Sequence, residues 1–219
     1  MNMNPKNLLY KFLSLFFHLL YHQFAWGYDF VAFVVSAGRW RTWVKSVGKY
    51  LTGPSILEIG HGPGHLQTHL KNTYPQLIGL DESRQMGKQA QKNIRAAYPR
   101  LPQTLVRAKA QSIPFINEQF NTVVATFPAQ FIFEKSCLKE IHCVLKPGGT
   151  LVILLAVKMT GKDFISRLLG ILYTVTGETI PQEIQQFMMK SLIEQGFSPQ
   201  INWLHQKNDH LLLINAQKM

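Results

Sequence analysis

Cysteine is scarce in this sequence of 219 residues. The two that occur, Cys137 and Cys143, are six positions apart within one predicted helix, so their side chains should not face each other. This spacing does not suggest a disulfide framework or a metal site. A reducing, cytoplasmic setting is therefore the expectation.

Acidic residues are also few, since 12 Asp and Glu stand against 23 Lys and Arg and leave a formal net charge of +11. The first 50 residues contain one acid, Asp29, and the basic residues Lys6, Lys11, Arg39, Arg41, Lys45 and Lys49. A basic excess among aromatic residues could serve to bind nucleic acid or an anionic membrane surface. It could equally do no more than keep a basic protein soluble. Charge alone does not choose among these three.

A long uninterrupted apolar run is missing. Residues 7–35 are rich in Leu, Phe and Tyr, but Lys11, His18 and His22 interrupt them, and no small-residue cleavage site follows. These features exclude a signal peptide and disfavour a spanning helix. We predict two helices, at about 5–22 and 28–46, that cover a ligand pocket.

Internal repeats and low-complexity segments are absent as well. With 46% apolar residues, the chain can bury the core of one domain. We assign residues 1–50 to a helical cap and residues 51–219 to an α/β domain.

Three glycines at alternate positions follow a short apolar strand in the sequence Ile56 to Leu66. Strand, glycine loop and helix in succession indicate a nucleotide-type ligand lying against bare backbone. A dinucleotide fingerprint, G-x-G-x-x-G, would place its third small residue at His65, which is bulky. The pattern present is E-x-G-x-G-x-G, from Glu58 to Gly64.

An acid ends the next predicted strand, Leu77 to Asp81, about 20 residues beyond the glycines. A carboxylate at that place can accept hydrogen bonds from both hydroxyls of a ribose. The strand is followed by a basic amphipathic helix over residues 84–97.

Taken together, three motifs resemble the class I S-adenosylmethionine-dependent methyltransferases, in particular methyltransferase type 11 and the quinone-biosynthesis enzymes. They are the glycine motif, D-x-S-x-x-M from Asp81 to Met86, and V-L-K-P-G-G-T-L-V-I from Val144 to Ile153. The resemblance implies a Rossmann-like, doubly wound sheet of seven strands, the last one antiparallel, preceded by the helical cap.

The resemblance also implies which residues contact S-adenosylmethionine and its product, S-adenosylhomocysteine. The glycine backbone would approach the methionine portion, Glu58 its amino group, Asp81 the ribose and Met86 the adenine. The full set of expected cofactor contacts is Tyr28, Glu58, Gly60, His61, Gly62, Gly64, Asp81, Glu82, Met86, Ala110, Gln111 and Thr126. No metal site is expected.

Some positions depart from the family pattern. Lys109 stands where family members have an acid that accepts a hydrogen bond from the adenine amino group. Asn121 stands where an aspartate is usual. Either the Lys109 side chain points away and the main chain near Ala110 contacts adenine, or cofactor affinity is reduced. Residues 126–129, Thr-Phe-Pro-Ala, lack the N/D-P-P-Y/F tetrad of many nitrogen methyltransferases, which disfavours a nucleic-acid base as acceptor.

The expected activity is direct in-line methyl transfer to a small or lipid-like apolar acceptor, capped by residues 158–180. No catalytic residue is assigned; if a base exists, the candidates are His18, Tyr21, His22 and Tyr28. An RNA or protein methyltransferase and a non-catalytic cofactor-binding protein remain the alternatives. The N-terminal helices would allow peripheral membrane contact, and the oligomeric state is open.

Overall fold

A computed structural model describes residues 36, 38–100, 102, 104–159, 182–206 and 209–219. The predicted helix 5–22, the first part of the helix 28–46, Tyr28 and most of the segment 158–180 lie outside these residues.

Seven strands form one sheet with the order β3-β2-β1-β4-β5-β7-β6. All neighbouring pairs are parallel except those of β7, which runs antiparallel to both β5 and β6. The strands are β1 Ile56–Ile59, β2 Leu77–Asp81, β3 Leu105–Arg107, β4 Phe120–Thr126, β5 Leu145–Met159, β6 Phe197–Gln206 and β7 Asp209–Lys218. This arrangement confirms the predicted fold class.

Helices cover both faces of the sheet. They are α1 Trp40–Ser46, α2 His65–Leu70, α3 Arg84–Ala97, α4 Lys135–Val144 and α5 Gln182–Glu194, with short 3₁₀ segments at Val47–Tyr50 and Gln130–Phe133. The helix predicted at 84–97 is confirmed. Its first turn is capped by Ser83, whose side chain accepts a hydrogen bond from the Met86 amide.

The core has two halves, one on each side of the sheet, because successive strand residues point to opposite faces. Leu57 and Val123 pack beneath α4. Ile56 and Val124 face the other way and pack against α1 and α2. Since β1, β2 and β4 are parallel, their carboxyl ends share one edge of the sheet.

The C-terminal hairpin is longer than predicted. We expected strands at 201–206 and 210–216, whereas β6 and β7 each contain ten residues. β7 pairs with β5 as well as β6, and this second partner extends the ladder beyond the local apolar pattern. The predicted helix cap is confirmed at Gly196, which has φ +82°.

Both cysteines lie in α4 and are free, as predicted. Among the residues that the structure describes, no helix is long and apolar enough to cross a membrane.

A buried carboxylate joins α1 to β7. Asp209 is 4% exposed and accepts hydrogen bonds from Arg39 Nη1 at 2.9 Å and from Trp43 Nε1 at 2.8 Å. One carboxylate oxygen therefore accepts from Trp43 in α1, and the other accepts from Arg39, the residue before α1. This contact fixes α1 on the sheet next to the edge where the strands end.

We predict that Asp209→Ala lowers the free energy of unfolding by about 2 to 4 kcal/mol, because it removes the acceptor of a half-buried guanidinium and of a buried indole N–H. Urea denaturation of both proteins measures the change. The control is Glu194→Ala, which breaks the exposed ion pair with Lys190 and should cost less than about 1 kcal/mol. Equal effects of the two substitutions would contradict the assigned role of Asp209.

Candidate functional site

The loop between β1 and α2, residues 60–64, is called the glycine turn below. Gly60, Gly62 and Gly64 all have positive φ, at +70°, +51° and +81°. L-residues rarely adopt this region, so the alternating glycines are needed for the path of the backbone. The turn lies between β2 on one side and β4 on the other, where the strand order changes direction and where ligands of such sheets bind.

Asp81, at the end of β2, holds the middle of the glycine turn. Its Oδ2 accepts a hydrogen bond from the Gly62 amide at 2.9 Å, and its Oδ1 accepts one from the Ser83 amide at 2.8 Å. The carboxylate therefore faces the turn, as the ribose prediction requires. Each oxygen keeps a further lone pair that could accept from a ligand hydroxyl.

Helix α3 supports the turn from below. Asn93 Nδ2 donates to the Pro63 carbonyl at 2.9 Å. At Gly64, an added Cβ would lie 2.9 Å from Ala90 Cβ, so α3 packs directly on the backbone there. Gly64 is thus required by close packing as well as by its φ angle.

The other two glycines face space instead of protein. A Cβ added to Gly62 would have no atom within 4 Å, and one added to Gly60 would meet only Phe131 Cζ at 4.0 Å. A cavity of about 20 Å³ lies beside them and is lined by Trp40, Val44, Glu58, Gly60, Gly62 and Thr126, among others. Bare backbone next to open space fits the expected cofactor, which would lie against the turn.

Glu58 is buried beneath the turn and is 1% exposed. Its Oε2 accepts a hydrogen bond from Gln67 Nε2 at 3.0 Å. Burial raises the pKa of Glu58, the Gln67 hydrogen bond lowers it, and the Asp81 charge adds to the rise. The resulting pKa is about 8. The carboxyl group is therefore largely protonated at neutral pH, which the sequence did not predict.

His61 is also buried, at 4% exposure. Its Nδ1 lies 2.7 Å from the Gly62 carbonyl oxygen and must donate, since a carbonyl only accepts. Burial lowers the pKa of His61, although the Asp81 carboxylate opposes this shift. The ring occupies the space over Gly79, where an added Cβ would lie 3.0 Å from His61 Cδ2.

Two residues predicted to contact the cofactor bond to other side chains at the protein surface. Glu82 lies 3.6 Å from the Lys109 ammonium, and both side chains are more than half exposed. Gln111 Nε2 donates to Glu134 at 2.9 Å. Lys109 thus points into solvent; the roles of Glu82 and Gln111 stay predictions.

The remaining predicted contacts differ in burial. Met86 is 1% exposed and Ala110 is 5% exposed, so neither offers a free side-chain surface here. Thr126, at the end of β4, is half-buried and lines the cavity beside the glycine turn. The adenine role of Met86 stays a prediction, and Tyr28 lies outside the described residues.

Asn121 is far from this edge of the sheet. It lies near the start of β4, and its Oδ1 accepts a hydrogen bond from the Ser55 amide at 3.3 Å. The backbone of Gly53 lies against it so closely that a Cβ there would be 2.3 Å from Asn121 Cγ. The departure from the family pattern at this position is therefore structural and says nothing about catalysis.

Sequence reasoning missed an aromatic cluster next to the turn, formed by Trp40, Trp43 and Phe127. The ring centroids of Trp40 and Phe127 are 4.4 Å apart, and that of Trp43 is 6.3 Å from Phe127. Phe127 directly follows β4 and has φ +50°, a strained conformation for a non-glycine residue. The positive φ and the hydrogen bond that the Phe127 amide donates to the Leu154 carbonyl fix the backbone of this residue at the edge where the parallel strands end.

A larger groove, of about 570 Å³, lies between α5 and the edge strand β6 and includes Met189, Ile193 and Ile201. It is away from the carboxyl ends of the central strands. We assign the site to the glycine turn in spite of the difference in volume, because the convergent polar groups lie there.

Residues 56–149 match the family model of the methyltransferase domain. The ubiquinone/menaquinone biosynthesis C-methyltransferase UbiE of Geotalea daltonii is 30% identical over 135 residues, which cover 58% of this chain and 57% of that protein. The corresponding protein of Blochmanniella floridana is 29% identical over 164 residues, 70% of this chain and 61% of its own length. The chain thus spans less than two thirds of either relative.

Solved structures share the fold. A protein from Methanococcus maripaludis, described as an S-adenosyl-L-methionine-dependent methyltransferase, superposes with a TM-score of 0.64 at 21% identity, over 87% of this chain and 90% of that one. A geranyl diphosphate C-methyltransferase from Streptomyces coelicolor gives a TM-score of 0.59 at 11% identity, over 80% and 78%.

The raised pKa of Glu58 predicts how stability depends on pH in the protein without ligand. Between about pH 4.5 and 8 the folded chain holds a proton on Glu58 that the unfolded chain does not, so stability falls as pH rises. Glu58→Gln should remove this loss, on the order of a few kcal/mol. Thermal unfolding at pH 5 and pH 8 measures the difference.

The matched control is Glu183→Gln, an exposed acid at the start of α5, which should leave the pH dependence of wild type unchanged. An unchanged pH dependence in Glu58→Gln itself would show that the Glu58 carboxyl is not protonated in the folded protein.

Proposed function

We propose that the chain is a class I, S-adenosylmethionine-dependent methyltransferase that acts on a small, largely apolar acceptor, since residues 56–149 match the methyltransferase-domain model. The cofactor would lie along the glycine turn and leave as S-adenosylhomocysteine. The observation that carries the proposal is the hydrogen bond between Asp81 and Gly62, which places a carboxylate from β2 beside bare backbone from β1.

Each part of the cofactor has a matching group in this chain. The free lone pairs of Asp81 would accept from the ribose hydroxyls, and the Glu58 carboxyl would accept from the amino group. The open face of Gly60 and Gly62 would admit the methionine portion close to the backbone. Adenine contacts at Met86, Ala110 and Gln111 belong to the same proposal.

S-adenosylmethionine supplies an electrophilic methyl group on a sulfonium, so the protein need not provide a nucleophile. The contribution of this chain would be to orient the acceptor and to exclude water, which can account for several kcal/mol of the barrier. Thr126 and Phe127, at the end of β4, and Trp40 from α1 lie beside the turn and are placed to do this.

The acceptor we favour is a planar, quinone-like or phenolic ring with an apolar substituent. Two observations support it: the half-buried rings of Trp40 and Phe127 offer faces for stacking, and the matched relatives are named as ubiquinone/menaquinone C-methyltransferases. The lack of an N/D-P-P-Y/F tetrad at residues 126–129 argues against a nucleic-acid base, despite the net charge of +11.

A lipid-like acceptor would be reached at a membrane surface. We therefore include peripheral contact of a cytoplasmic protein with an anionic bilayer in the proposal, on the basis of the basic and aromatic residues of the first 50 positions.

Replacing Gly62 by Val should abolish binding of S-adenosylhomocysteine, weakening it by more than about a hundredfold, since the added side chain fills the space that the ligand needs. Isothermal titration calorimetry measures the affinity. Gly148→Ala is the control: Gly148 also has positive φ, +70°, but it lies between the paired residues Leu145 and Thr150 at the start of β5, at the opposite edge of the sheet. Retained affinity in Gly62→Val would refute the proposed site.

Methyl transfer is tested with S-adenosylmethionine and three acceptors: a hydroquinone with an isoprenoid tail, the same ring without a tail, and RNA. Mass spectrometry should detect a methylated ring. Phe127→Leu keeps an apolar side chain at this position but removes the aromatic ring. It should raise KM for the ring acceptor about tenfold, while the Kd of S-adenosylhomocysteine stays within about threefold of the wild-type value.

Methylation of RNA alone, or cofactor binding without turnover on any acceptor, would favour the alternatives. In the same preparation, flotation with anionic liposomes should carry the protein to the lipid fraction, and an absence of binding would remove the membrane contact.

A further inference from the structure

Glu58 has less hydrogen bonding from the described residues than a buried carboxylate needs. From those residues it accepts one hydrogen bond, donated by the neutral Gln67 amide, although an ionised carboxylate can accept about four. Among the residues that the structure describes, no cation forms an ion pair with Glu58. A buried negative charge supported so weakly is unstable, and the group avoids the penalty by holding a proton.

The groups that face Glu58 make ionisation harder. The Asp81 carboxylate, at the end of β2, is negative and acts on both Glu58 and His61. His61 uses its Nδ1 proton on the Gly62 carbonyl, and His65, at the start of α2, lines the same cavity. The other neighbours carry no charge: Trp40 and Val44 from α1, Gln67 from α2, and Thr126 from β4.

A cation entering this cavity would meet the Glu58 carboxyl, and the described lining residues include no ammonium or guanidinium that would compete for it. Glu58 lines the cavity together with Gly60 and Gly62, where the methionine portion of the cofactor would lie. That portion carries an ammonium group, which a carboxyl group recognises through charge-assisted hydrogen bonds.

We propose that binding of the cofactor at the glycine turn expels one proton from Glu58, so that affinity for the cofactor depends on pH. The O–H bond of the Glu58 carboxyl breaks, its proton passes to solvent buffer, and the carboxylate oxygen accepts an N–H of the ligand ammonium. The inference rests on the proposed function, because it needs an ammonium-bearing ligand at this turn.

The direction of the pH dependence follows from the state of Glu58 before binding. Its pKa is raised to about 8, first by burial, so the carboxyl is mostly protonated below pH 8. Below that value the ligand must displace a proton, and the apparent affinity falls as pH falls. The limit is about tenfold per pH unit while one proton is exchanged for each ligand bound.

The test is calorimetric titration of the full chain with S-adenosylhomocysteine between pH 6 and pH 8, in buffers that differ in ionisation enthalpy. Close to one proton should be released per ligand at pH 7, and the Kd should rise by up to about tenfold from pH 7 to pH 6. The control ligand is 5′-methylthioadenosine, which has no amino group and should bind without releasing the proton.

Glu58→Gln identifies the source of the proton. Its amide has nearly the same shape and can still accept a hydrogen bond, but it cannot titrate, so S-adenosylhomocysteine should bind with a Kd that is nearly independent of pH and with no proton release. Release of a proton by this variant, or binding to wild type without release, would overturn the inference and leave the proposed function standing. A wild-type protein that binds no S-adenosylhomocysteine at any pH would refute both.

Discussion

The hydrogen bond from the Gly62 amide to Asp81 is the contact on which the site depends. It joins the loop after β1 to the end of β2. These neighbouring strands are parallel, so their carboxyl ends lie at the same edge of the sheet. The same carboxylate uses its other oxygen on the Ser83 amide, at the start of α3. One side chain thus fixes the glycine turn, the end of a strand and the start of a helix, and a ligand placed against the turn meets Asp81 in a single orientation.

Close packing around this contact depends on the missing side chain of Gly79, which leaves room for larger neighbours. Gly79 has no side chain, and the ring of His61 and the amide of Gln67 occupy the space above it. Gln67 is thereby brought to Glu58, and His61 holds the Gly62 carbonyl. The result is a turn held over a buried carboxyl group that, among the residues the structure describes, has no cation beside it and is protonated at neutral pH.

Local patterns predicted the bounds of β2 and α3, because an apolar run that ends in an acid and an amphipathic stretch behind a capping serine specify short elements by themselves. They failed where distant pairing decides length, as in β6 and β7. The departure from the family pattern at Asn121 could be explained only from the structure, because family position does not reveal that its partner is Ser55 at the far end of the sheet.

The sequence alone determined the order of the elements, the position of the glycine turn and the acid that closes it, since these depend on residue type and spacing along the chain. Only the tertiary structure decided that Glu58 is buried against Gln67, that His61 lies beneath the turn, and that Trp40 stacks on Phe127 across 87 positions of sequence. The physical reason is that a side chain's charge state and contacts depend on what surrounds it in space, and those neighbours come from strands and helices far apart in the chain.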